Sequence, residues 1–114
     1  MLTKGQCRSI CRNLKREMAE DGVNYVLHST AIVKERTDSE GKENLYTLNT
    51  GGWATQLTRR VMQEVIISCC KFNHVYISMG DGEVFFTDPR GNEFWVGDSL
   101  TITQMGFVND YDYA

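Results

Sequence analysis

Three groups of residues in this 114-residue chain have types and spacings that could do chemistry. The first is LNTGGWATQLTRR, residues 48–60, where a strand-like run halts at Gly51, Gly52 and Trp53 and a threonine- and arginine-rich helix start follows. Free amides in the first turn of a helix favour negative groups, so Thr55, Arg59 and Arg60 could hold an anion. The stretch reads equally as a tight joint in which the glycines turn the chain, Trp53 packs over it as a plug and Thr55 caps the helix. The second group is Lys4, Arg8, Arg12 and Lys15, whose nearly helical spacing suits either a stripe that follows phosphates or the solvated side of an amphipathic helix. The third, Tyr76, Phe85 and Trp95, is aromatic, and its meaning depends on which face of a sheet the rings share.

Catalytic signatures are missing. His28 and His74 do not form an HExxH-type pair, and there is no GxSxG, Walker A loop or paired CxxC. His28 falls in the middle of an expected strand, where a packed or hydrogen-bonded ring is the ordinary outcome. Cys7, Cys11, Cys69 and Cys70 fit neither a disulfide framework nor a zinc ribbon, and read as reduced, buried thiols. A non-enzymatic protein with no cofactor and no metal is expected.

The net charge of −3 conceals an asymmetry. Residues 1–21 carry five basic and three acidic groups and residues 55–71 three and one, whereas residues 72–114 carry one and seven. No run of like charge forms a polyanion-binding tail. No apolar run approaches the roughly 20 residues of a membrane span, so no membrane association is expected. The opening MLTKGQCRSICRN has no apolar secretion core, and a cytoplasmic protein is expected.

The elements that must position these groups follow from periodicity. Cys7, Ile10, Cys11, Leu14 and Met18 predict an amphipathic helix over 3–21, with Thr3 as N-cap and Gly22 as stop. NYVLHSTAIVKER, 24–36, predicts one long strand, TDSEGK a turn and ENLYTLN, 43–49, the antiparallel return. A second helix spans 55–71, with Leu57, Val61, Met62, Val65, Ile66 and Cys69 along its apolar stripe. Runs at 74–79, 83–87, 93–96 and 100–103, separated by GDG, DPRG and GDS, make a meander. The fold class is α+β, an antiparallel sheet with two helices in the order α-β-β-α-β-β-β with an additional edge strand. Residues 1–108 form one domain and 109–114 a flexible tail, in which Tyr111 and Tyr113 could act as a short anchor.

Register assigns the aromatic rings. A type I′ turn at Asp81–Gly82 pairs Met79 with Val84, Ser78 with Phe85 and Ile77 with Phe86. A three-residue Pro89–Arg90–Gly91 loop then pairs Phe86 with Phe94 and Val84 with Val96. One face collects Ile77, Met79, Val84, Phe86, Phe94 and Val96, and Tyr76, Phe85 and Trp95 fall on the other. That second face is either folded over by the first hairpin or the C-terminal tail or open as a protein-binding surface, and its surroundings, Asp81, Glu83, Asp88, Glu93 and Asp98, disfavour a phosphate backbone there.

The segment LNTGGWATQLTRRVMQ, followed by EVFF, DPRG and GDSLTI, resembles small phage-encoded proteins of unassigned function in which a TGGW or SGGW strand end leads into a threonine- and arginine-rich helix start. The resemblance spans roughly residues 45–103 and rests on Thr50, Gly51, Gly52, Trp53, Thr55, Thr58 and Arg60. It implies a phage accessory protein that acts in the host cytoplasm by engaging and modulating or inhibiting a host protein, a defence component among the candidates. The alternative is a nucleic-acid binder that uses Arg8, Arg12, Lys15, Arg59 and Arg60. An aromatic sheet face could also close a homodimer.

Overall fold

The structure, a computed structural model, describes residues 1–70 and 74–109. Ten elements follow one another: α1 (Lys4–Ile10), β1 (Leu14–Ala19), β2 (Gly22–Leu27), β3 (Thr30–Thr37), β4 (Asn44–Leu48), α2 (Gln56–Cys69), β5 (Tyr76–Gly80), β6 (Glu83–Thr87), β7 (Glu93–Trp95) and β8 (Leu100–Thr103). The class is α+β, in the order α-β-β-β-β-α-β-β-β-β.

Two expectations change near the N-terminus. The first helix starts where expected, on a capping box in which Thr3 Oγ1 accepts the Gln6 amide and the Gln6 side chain accepts the Thr3 amide. It stops after seven residues, because Cys11 turns extended and Leu14 donates back to the Cys11 carbonyl. Residues 14–19 then form an edge strand paired from Leu14↔Leu27 to Ala19↔Gly22, so Gly22 opens a strand and does not end a helix. The long strand expected over 24–36 is likewise a hairpin. His28 and Ser29 make its two-residue turn, with His28 at φ 58°, a left-handed conformation that histidine adopts more readily than most side chains.

The expected single sheet is two. β8 leaves the meander and pairs with β4, Tyr46 opposite Ile102 and Leu48 opposite Leu100, closing a five-stranded sheet β1-β2-β3-β4-β8. β5, β6 and β7 form a separate three-stranded sheet with the expected pairings, Ser78↔Phe85↔Trp95 and Ile77↔Phe86↔Phe94 among them. α2 packs against β3 of the large sheet and β5 of the small one. Its fully buried Val61, Met62, Val65 and Ile66 join Tyr25, Val33 and Leu48 on one side to Ile77, Val84 and Phe86 on the other in a continuous core.

α2 also finishes the outer edge of β5. The Gln63 side chain donates to the Val75 carbonyl at 3.1 Å and accepts the Ile77 amide, and the Arg59 guanidinium donates to the Ile77 carbonyl at 3.1 Å. Backbone groups that would otherwise invite another strand are thereby satisfied. Of the expected tail, Asn109 donates its amide to Thr101, and Val108, the last residue of the expected domain but one element, bridges to Ile102. The remaining tail residues, Tyr111 and Tyr113 among them, lie outside the described residues.

Candidate functional site

The β5–β6–β7 sheet presents its aromatic face outward. Tyr76 is 68% exposed and Trp95 55%, with the half-buried Phe85 directly cross-strand from Trp95. A cover supplied by the C-terminal tail, the expected alternative, would fall on residues 110–114, outside the described residues. The opposite face supplies the core, where Ile77, Val84, Phe86 and Val96 are buried and Met79 and Phe94 lie partly buried against them.

Trp95 is held in place from two sides. Its indole N–H donates to Glu83 Oε2 at 2.8 Å. Its ring lies over Gly97, so closely that a Cβ on that residue would come within 2.8 Å of ring carbons. Gly97 adopts φ 55°, and its carbonyl accepts both the amide and the hydroxyl of Thr50, each at 3.3 Å. The first residue of the TGGW element therefore supports the backbone on which the aromatic face rests. The rim is acidic, with Asp81, Glu83, Glu93 and Asp98 exposed. Asp88, expected on that rim, is buried: its carboxylate accepts the amides of Arg90 and Asn92 and is consumed in building the turn.

The TGGW joint is partly as expected. Thr50 to Trp53 is a tight turn closed by the Trp53 amide on the Thr50 carbonyl at 2.9 Å, with Gly51 and Gly52 at φ 62° and 82°, which is why both are glycine. Thr55 is the N-cap, its hydroxyl accepting the Thr58 amide at 3.2 Å and donating to Thr58 Oγ1. Trp53 does not plug the joint. It is 66% exposed and stands at the mouth of a cleft of about 510 Å³, floored by Leu27 and Ile32 and edged by His28, Thr30 and Leu57. His28 is thus an exposed turn residue and not a mid-strand ring.

The basic residues divide. Arg8, Arg12 and Lys15 do come together, although no single helix carries them: Arg8 is on α1, Arg12 in the turn after it and Lys15 on β1. With Lys4 and Arg16 they line a concavity of about 490 Å³ above Leu14. Arg59 and Arg60 are engaged elsewhere. Arg59 bonds Gln56 and Ile77, and Arg60 bridges Glu64 at 2.9 Å while donating to the Ile10 carbonyl.

Cys7, Cys69 and Cys70 are ill suited to nucleophilic work. Burial pushes Cys69 up to about 11, with the Glu35 charge adding to the effect, and burial together with Cys69 pushes Cys70 up to about 12. Burial also raises Cys7. All three stay protonated at neutral pH. The stripe read from the sequence left out Arg16, and sequence reasoning missed Gly97, whose contact with Trp95 has no local signature.

Fold and site together define an α+β domain that displays an aromatic, acid-rimmed sheet face and a separate basic concavity. Set against known protein families, curated proteins and solved structures, the chain matches none of them.

Proposed function

We propose that this protein works by binding another protein through the β5–β6–β7 face, without catalysis. In the same reading it is a phage accessory protein that engages and modulates or inhibits a host protein, a defence component being one class of target. The observation that carries the binding role is the outward placement of Tyr76 and Trp95 on one face of the three-stranded sheet. Large amphipathic rings of this kind are the residues that most often anchor protein interfaces. Phe85 between them adds apolar area, and the exposed Glu83, Glu93 and Asp98 suit a partner with a basic rim. The phage and host assignment rests on the resemblance of the TGGW element.

The test is affinity capture from bacterial lysate with the wild-type chain and a Tyr76→Ala/Trp95→Ala double variant, alongside thermal denaturation of both. A partner retained by the wild type and lost by a folded double variant supports the reading. Equal capture by both removes it. Elution of the isolated protein as a dimer that the double variant converts to monomer would assign the face to self-association instead.

A further inference from the structure

We propose that the concavity between α1 and β1 is a binding site for a ligand carrying several closely spaced phosphate groups. It is distinct from the aromatic face and does not depend on that face's role. Lys4, Arg8, Arg12, Lys15 and Arg16 line it, and among the described residues no carboxylate does. Among the described residues none of these five forms an ion pair, although the chain as a whole is acidic.

The other arginines show how unusual this is within the same molecule. Arg36 pairs with Asp21 and Asn24, Arg59 ties α2 to β5, Arg60 pairs with Glu64, and Arg90 stacks on Phe107 at 5.1 Å. By contrast, Arg16 donates only to the Leu2 carbonyl, at 3.3 Å, and its Nε is buried without an acceptor. Five cations held around one concavity repel one another, and a polyanion is the partner that converts this repulsion into attraction. Guanidinium forks match paired phosphate oxygens, and the lysines add point charges. The gathering is itself a product of the fold. On a continuous helix the residues would have formed a ridge, whereas the turn after Ile10 folds β1 back beside α1 and makes a hollow.

Two sources offer this chemistry: a small oligophosphate and a nucleic-acid backbone. The full chain is titrated at 50 mM salt with inorganic triphosphate and, separately, with a fluorescent mixed-sequence single-stranded oligonucleotide. Saturable binding of at least one probe is expected, weakened at least tenfold by Arg8→Glu/Arg12→Glu and unchanged by Lys42→Glu, an exposed cation between β3 and β4 that does not line the concavity. If the backbone is the ligand, oligonucleotide affinity should fall with salt at a log–log slope of about −3, as for four or five neutralised phosphates. Triphosphate that binds without competing oligonucleotide affinity assigns the site to small oligophosphates. Should the double reversal fail to fold, Arg8→Gln and Arg12→Gln, at exposed positions, carry the same expectation singly. Binding of neither probe, or loss equal to that caused by Lys42→Glu, overturns the proposal.

Discussion

Replacing Gly97 by alanine separates the stability of the fold from the geometry of the aromatic face. Gly97 has φ 55°, and for alanine the left-handed conformation costs roughly 1–2 kcal/mol. The new methyl would also sit 2.8 Å from ring carbons of Trp95, well inside van der Waals contact. Because that ring is 55% exposed, it can swing outward and relieve the clash, at the expense of its 2.8 Å bond to Glu83. The stability loss should therefore stay near the backbone cost, lowering the melting temperature by about 4–8 °C for a chain of this size. Partner binding through the face should fall far more, by roughly 30-fold or beyond, which is the effect of losing about 2 kcal/mol at an anchor residue. In a Trp53→Phe background the emission of Trp95 reports the ring's movement directly. A variant that melts lower yet keeps both its Trp95 emission and its partner affinity would refute the linkage between Gly97 and the ring.

Thr55→Ala should destabilise the protein by about 1 kcal/mol, since the Thr58 amide loses its cap, and Thr55→Ser should recover most of it; urea midpoints at constant slope measure both. The buried thiols should add no pH dependence to stability below about 9 and should lower it as pH rises towards 11. Unfolded thiols ionise near 9.0, whereas folded Cys69 and Cys70 hold their protons to about 11 and about 12. Above the ordinary tyrosine range Tyr25 and Tyr46, both pushed up by burial, should steepen that loss. Denaturant midpoints from pH 7 to 11 test this, with Cys70→Ala expected to shallow the slope.

Local chemistry made the small sheet legible. Asp81–Gly82 and Pro89–Arg90–Gly91 are turns with strong steric signatures, and once they are set, alternation alone places Phe85 opposite Trp95. Residues 14–19 were illegible for a physical reason. Leu14 and Met18 are four apart, a spacing that keeps them on one face under both helical and strand periods, so only pairing with β2 decides between the two. The break inside NYVLHSTAIVKER was hidden because His28 takes a left-handed turn with no glycine, asparagine or proline to mark it. β8 joins β4 by tertiary preference, although the three residues before it look like any other meander turn. At the site, the face assignment of Tyr76, Phe85 and Trp95 was readable, but their exposure was not. The basic cluster was readable as a set of residues and misread as a shape.

The pairing of β8 with β4 has a consequence in time. β1 to β4 all lie within the first 48 residues, but the β4 edge of that sheet has its pairing partner only once residues 100–103 are synthesised. β4 is apolar there, with Tyr46 and Leu48 destined for the core. A nascent or prematurely terminated chain thus presents a sticky strand edge of the kind that recruits chaperones or aggregates. Chain termination anywhere between α2 and β8 should yield insoluble product, whereas a chain ending just beyond Asn109 keeps the closing strand.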